Sequence, residues 1–270
     1  MSRIAEKFRE LKSRKETALI PYIMAGDPDL AVTREIVLEI ARSGADIIEI
    51  GAPFSDPVAD GPTIQRAGIR ALASGTTLKK VIGLVKDVRK ETDIPVILML
   101  YYNLIHHYGE EKFAHDAAVA GVDGLIVPDL PPDEASGLAS AAKANDMDII
   151  FLLAPTSSDD RVRLVEKHSS GFIYYVSLTG VTGARTALDS GIEASIKRIR
   201  RFSKKPVCVG FGISTPEQAA KVSAWADGVI VGSALVGIIE KNAVKKTLVR
   251  EVGRFVKSLK EGVTAGAEAK

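Results

Sequence analysis

The spacing of apolar and polar positions along the chain predicts its elements. Eight short apolar runs, each bounded by turn residues, lie at 19–24, 46–51, 95–101, 124–127, 148–153, 172–177, 206–211 and 228–231. Their lengths suit strands, and their near-continuous apolar character suits strands covered on both faces, as in a parallel sheet. Stretches of helical period separate them, LAVTREIVLEIARSG and PEQAAKVSAWA among them. In the second, Pro216 follows Ser214 and Thr215, so a capping hydroxyl and a proline at the first turn set the helix start. Strand then helix, repeated eight times, predicts an α/β fold: a single closed (β/α)8 TIM barrel. A doubly wound sheet is the main rival and would need only five or six strands. Three helix-to-strand turns echo one another, at Gly44-Ala45-Asp46, Gly121-Val122-Asp123-Gly124 and Ala226-Asp227-Gly228. They mark equivalent units and say nothing about function.

Two places break the rhythm. The interval between the second and third runs is nearly twice the others and opens with GAPFSDPVADGPTIQ, too polar and proline-rich for a plain connector. The segment LTGVTGARTALDSG after the sixth run is long, flexible and studded with Gly and Thr. Both follow the C-terminal end of a strand, the face on which such barrels carry chemistry. Residues 2–13 read as an extra amphipathic helix, suited to plug the barrel floor. The barrel domain is taken as residues 1–262, and the remaining small-residue tail, 263–270, reads as a frayed end. No linker or shift of composition marks a second domain.

Composition narrows the classes. Lys and Arg number 36 against 34 Asp and Glu, so the net charge of +2 gives no electrostatic footprint for nucleic acid or an anionic membrane. A 46% hydrophobic content supports a large core and excludes wholesale disorder. The single cysteine, Cys208, excludes an intrachain disulfide framework and suits a reducing compartment. The N-terminus lacks an apolar signal region, and no apolar run approaches the length of a membrane span, so a soluble, cytoplasmic protein is expected.

Glu49 is the most informative residue. It stands in ADIIEIG between isoleucines, and strand alternation places it on one face with Ile47 and Gly51. If that face is the barrel interior, desolvation raises its pKa and makes it a proton donor near neutrality; the plainer reading is a structural Glu paired with a base. Asp56 and Asp60 follow in a loop stiffened by Pro53, Pro57 and Pro62, so a second acid can be held against the same cavity in a wetter setting. Glycines after the last three strands, in GVTG, GFG and GS, let backbone N–H groups approach an oxyanion, and Ser233 can open an anion-binding helix. His106 and His107 are adjacent and have no ligand partners at metal spacing. Cys208 reads as core, and the basic run 197–205 as a solvated helix face.

The segments PYIMAGDPD, EIGAPFSDPVADGPTIQ, SLTGVTGAR, GFGIS and VGSALV, in this order, resemble the tryptophan synthase alpha chain family from about residue 3 to about residue 260. The resemblance implies a lyase of tryptophan biosynthesis that cleaves indole-3-glycerol phosphate to indole and glyceraldehyde 3-phosphate, without cofactor or metal. It implies Glu49 and Asp60 as the catalytic pair, the first moving protons and the second accepting the indole N–H. Carried over position by position, it assigns the phosphate to Gly183, Gly212, Gly232 and Ser233. The indole pocket becomes Tyr22, Ile64, Met99, Tyr101, Ile126, Tyr174 and Phe211, with Asp129 a further polar residue at the rim. Thr182 would bond Asp60 and close the lid 178–191, although Leu178 stands where some members carry a basic residue.

The resemblance also implies a pyridoxal-phosphate-dependent beta chain as partner, in an alpha2-beta2 tetramer, receiving indole through a tunnel. Its docking surface would use Pro53, Asp56 and Pro57, then Asn103 and Tyr108, then Pro131 and Pro132. Docking would order the Asp60 loop and raise a slow basal turnover. Two alternatives stay open: a stand-alone indole-glycerol phosphate lyase, and a non-catalytic subunit that only regulates the beta chain. Generic phosphate-sugar isomerases fit less well, because nothing after strands six to eight supplies their usual base.

Overall fold

Each apolar run becomes a parallel strand in the computed structural model of the chain, which describes residues 2–177, 185–210 and 212–268. The strands are β1 (Ala18–Met24), β2 (Ile48–Gly51), β3 (Val96–Met99), β4 (Gly124–Ile126), β5 (Asp148–Ile150), β6 (Leu152–Leu153), β7 (Ile173–Val176), β8 (Val207–Gly210) and β9 (Gly228–Val231). Their order is β5-β4-β3-β2-β1-β9-β8-β7-β6. The fifth predicted run is therefore split at Phe151, β5 pairing with β4 and β6 with β7. Because β5 and β6 are successive in the chain and are the two ends of the order, the sheet comes round on itself there, as a TIM barrel does.

The helices follow the strands. They are α1 (Arg3–Ser13), α2 (Leu30–Arg42), α3 (Pro62–Ala73), α4 (Leu78–Val88), α5 (Tyr102–Tyr108) and α6 (Glu110–Ala120) in the first half. The second half adds α7 (Ser136–Ala144), α8 (Asp159–His168), α9 (Arg185–Arg200), α10 (Pro216–Ser223), α11 (Ser233–Asn242) and α12 (Leu248–Ala267). The long interval after β2 holds two of them, α3 and α4. Thr215 caps α10, its hydroxyl accepting from the Gln218 N–H, with Pro216 at the first turn as expected. Among the described residues no helix is long and apolar enough to cross a membrane.

Alternation divides the core in two. Side chains pointing outward from the strands, such as Ile48, Ile50 and Leu98, meet the helices. Those pointing inward, Ile20, Ile47, Ile97, Ile126 and Ile150, fill the barrel. Ile4, Phe8 and Leu11 of α1 join this inner cluster, so the extra helix does plug the floor. The echoed aspartates staple the strands: Asp46, Asp123 and Asp227 accept from the N–H groups of Leu19, Val96 and Val207 at 2.8, 2.8 and 2.9 Å. Each also meets a cation, Lys260, Arg89 and Arg200 respectively. Their recurrence is structural.

The end of the chain departs from the sequence reading. Instead of fraying after residue 262, α12 continues to Ala267, with Val263 and Ala267 buried. Gly266 allows α12 to lie against α10, since a Cβ there would fall 1.9 Å from the carbonyl oxygen of Ala220. Backbone cannot swing aside as a side chain does, so Gly266→Val should destabilise the fold by about 3 kcal/mol and lower Tm by about 6–12 °C. Thermal unfolding followed by circular dichroism checks this; a frayed tail would leave Tm unchanged.

Candidate active site

β2 carries one ionisable residue, and its parity decides where that residue points. Glu49 shares the inward face of Ile47 and Gly51, lines a cavity inside the barrel, and is only 1% exposed. Gly51 leaves room for the phenol of Tyr22, whose hydroxyl would lie 2.1 Å from a Cβ at that position. Neither carboxyl oxygen of Glu49 has a hydrogen-bond partner among the described residues. Desolvation, and secondarily the charge of Asp60, push the Glu49 pKa up to about 8. At neutral pH it is a protonated acid with a proton to give.

Asp60 reaches the same cavity from the loop between β2 and α3. That loop is tied internally. The Val58 N–H donates to the Asp56 carbonyl at 2.9 Å and the Asp60 N–H to the Pro57 carbonyl at 3.1 Å. Gln65 Nε2, one turn into α3, donates to the Asp60 carbonyl at 2.8 Å. Burial pushes the Asp60 pKa up to about 6, opposed by a hydrogen bond from Tyr101. Two carboxyls in one cavity thus take opposite states near pH 7, Glu49 neutral and Asp60 mostly ionised.

The cavity holds about 160 Å³, the scale at which an apolar site takes a single small aromatic molecule. Tyr22, Ile64, Met99, Tyr174 and Ile230 form its apolar wall. Another part of the lining is Gly212, Ile213 and Ser214 after β8, with Gly232, Ser233 and Ala234 where α11 begins. Gly232 precedes α11 without a side-chain cap. The first N–H groups of the helix are thereby left for an anion. One compartment so combines a dry proton donor, a second acid, an aromatic wall and an anion cradle.

The family model of the tryptophan synthase alpha chain matches residues 8–264. The chain belongs to the tryptophan synthase alpha chain family. It is 54% identical to the tryptophan synthase alpha chain of Geobacter sp. (strain M21) over 267 residues, 99% of this chain and 100% of that one. Tryptophan synthase subunit alpha from Legionella pneumophila str. Paris has a similar structure, with a TM-score of 0.91 at 41% identity, covering 97% of this chain and 98% of that one. A structure of Mycobacterium tuberculosis tryptophan synthase gives 0.88 at 37% identity, over 97% and 98% of the two chains. The protein is accordingly a lyase-type enzyme subunit of tryptophan biosynthesis, and the family implies a beta-chain partner.

Most of the residues that the sequence marks for a tryptophan synthase alpha site converge on the cavity: Glu49, Asp60, Tyr22, Ile64, Met99, Tyr174, Gly212, Gly232 and Ser233. Two do not line it. Ile126 lies deeper, in the cluster with Ile20 and Ile97, while its register partner Met99 reaches the cavity. Tyr101 is buried against the acid loop instead, its hydroxyl accepting from the Ala59 N–H at 2.9 Å. Leu178, Thr182, Gly183 and Phe211 lie outside the described residues. From Arg185 onward the segment read as a flexible lid is helix α9. Ile213, Ile230, Gly61, Ser214 and Ala234 line the cavity without having been singled out; Ile230 was legible from its parity with Gly228 and Gly232.

The seven residues assigned to a docking surface divide by burial. Asp56 and Asn103 are exposed and Pro57, Tyr108 and Pro131 half-buried. Pro53 and Pro132 are buried. Asp129 is exposed, and its carboxylate accepts from the Tyr102 N–H at 2.9 Å, anchoring the start of α5. His106 and His107 are exposed on α5, and no group of three metal-ligating side chains occurs among the described residues.

Proposed function

We propose that Glu49 and Asp60 carry out the cleavage of indole-3-glycerol phosphate to indole and glyceraldehyde 3-phosphate, with no cofactor taking part. The observation that supports this most is the buried, neutral Glu49 facing a more acidic Asp60 in one aromatic-walled cavity. Indole leaves only after its C3 is protonated. Glu49 gives that proton; the ring nitrogen supplies electrons and becomes cationic; the Asp60 carboxylate accepts the indole N–H and stabilises the charge. The Glu49 carboxylate so formed takes the proton of the hydroxyl on the carbon bonded to C3. As the aldehyde C=O forms, the C–C bond breaks, its electrons return to the ring, and aromaticity is restored. Glu49 ends neutral, as it began. Each positioned proton transfer contributes about 10²–10⁴-fold.

The phosphate is assigned to the backbone N–H groups of Gly183, Gly212 and Gly232, with Ser233, the last two standing where α11 begins. The indole ring lies among Tyr22, Ile64, Met99 and Tyr174, with Phe211. Thr182 is the lid residue that bonds Asp60. A cytoplasmic location suits an enzyme whose one cysteine is buried and unpaired.

The beta chain, which carries pyridoxal phosphate, docks on the face with the Asp60 loop in an alpha2-beta2 tetramer and receives indole by a tunnel. Support for this comes from Val58, an apolar side chain 79% exposed two residues before Asp60. Indole release from indole-3-glycerol phosphate, with and without added beta chain, tests the reading. Indole should appear in both cases and faster with the partner. Equal rates point to a stand-alone lyase, and no indole in either sinks the assignment.

A further inference from the structure

We propose that Tyr101 is a positioning residue for Asp60, its phenol oxygen acting as the latch that holds the acid loop against the cavity. This rests on the lyase reading above and assigns Tyr101 a role other than substrate contact, since it does not line the cavity.

Three contacts converge on this side chain. The ring of Phe54, near the start of the loop, stacks on it at 5.2 Å with an interplanar angle of 29°. The N–H of Ala59, the residue before the acid, donates to its oxygen at 2.9 Å. The same phenol acts on the Asp60 carboxyl, holding its pKa down against burial. One oxygen is therefore tied to residue 59 and acts on the acid at residue 60. Gln65 holds the Asp60 carbonyl from the other side. The loop backbone is thus held on both sides of the Asp60 side chain.

The surrounding charges give the latch a second consequence. Asp129 after β4 acts on Tyr101, and the Asp60 charge in turn raises the pKa values of Glu49 on β2 and Tyr22 on β1, so every titratable neighbour is acidic. Burial also disfavours an ionised Asp60, and the phenol proton opposes it. Without that proton Asp60 holds its own to higher pH.

Full-length parent and Tyr101→Phe, which keeps the stack on Phe54 and loses the hydroxyl, provide the test. Aspartate ¹³C-carboxyl resonances are titrated by NMR, with Asp60→Asn assigning the signal, and indole release is measured across pH. Losing the phenol that holds the Asp60 pKa down should raise the Asp60 midpoint by about one unit. The acid limb of kcat should move by the same amount. At neutral pH kcat should fall about tenfold with KM within about twofold, because a misplaced acid loses transition-state contact more than substrate affinity. An unmoved Asp60 midpoint overturns the latch even if indole is released. A rise in KM at constant kcat also overturns it, by making the ring a substrate contact. A shifted midpoint in a chain whose parent makes no indole upholds the latch and removes the lyase reading.

Discussion

Glu49→Gln is expected to abolish indole release, lowering kcat by at least about 10³-fold, while the cavity and its ligand affinity persist. The size of the effect follows from the double use of one carboxyl. It must first be an acid toward C3 and then, in the same turnover, a base toward the glycerol hydroxyl. An amide can neither release a proton at the required pKa nor take one up, so both transfers fail together. Shape is preserved, because Gln differs from a neutral Glu by one group and the native Glu49 is neutral at pH 7. The measurement is single-turnover indole formation beside equilibrium binding of the substrate. Cleavage at the parent rate would move the proton chemistry to another residue.

The same substitution should stabilise the protein in alkali. The unfolded Glu49 side chain titrates near its ordinary value of about 4.3, whereas the folded one is pushed up to about 8. Between these values the folded state holds a proton that the unfolded state has lost, so stability falls as pH rises and levels off above the folded pKa. The full span corresponds to roughly 5 kcal/mol, absent below pH 4 and complete above pH 8. The amide of the Glu49→Gln variant does not titrate and so contributes no such slope. Urea unfolding at pH 6 and pH 9 should show the variant gaining on the parent as pH rises; parallel curves would mean that Glu49 is already ionised in the native cavity. The function thus resides in a group that weakens the fold.

Glu49 was legible because a single carboxylate in a run of period two fixes its own face, and the apolar run says the face is dry. The barrel was legible for a similar reason, the repetition of short two-sided strands. The split at Phe151 was not: Phe is apolar whichever neighbour its strand pairs with, and hydropathy does not record where a ladder changes partner. The segment GVTAGA misled because small residues mark both disorder and close helix packing. Gly266 is small because the backbone of α10 passes against it, a fact held 46 residues upstream at Ala220. Tyr101 and Ile126 show the limit of parity: alternation turns both inward, but only register along the barrel axis says which residue reaches the cavity and which lies above or below it. The bond of the Tyr101 hydroxyl to the Ala59 N–H needed the loop's path, which the three prolines constrain without specifying.

Arg70→Ala is expected to destabilise the protein by about 3–5 kcal/mol, and most of that loss should disappear in an Asp27→Asn background. Asp27, in the turn after β1, is 1% exposed and accepts from Arg70 Nε and Nη2 at 2.8 Å each. The third arm of the fork, Nη1, donates to Glu240 of α11 at 2.8 Å. Removing the guanidinium leaves a buried carboxylate without its counter-charge, which costs more than the pair contributed when intact. Asp27→Asn leaves no buried charge to strand, so the second substitution acts almost alone. Arg70→Lys should retain only part of the stability, since a point charge cannot meet both carboxylate oxygens and Glu240 together. The neighbouring Arg66 is exposed to solvent, where its pairing with Glu240 is screened, so it cannot substitute. The site shares in this effect. α3 begins directly after the Asp60 loop and α11 at the anion cradle, so Arg70 joins the elements that carry the second acid and the phosphate contacts to the end of β1. Urea unfolding of the four proteins of the cycle gives the coupling directly; an Arg70→Ala protein within about 1 kcal/mol of the parent would mean that water reaches Asp27 as soon as the arginine is gone.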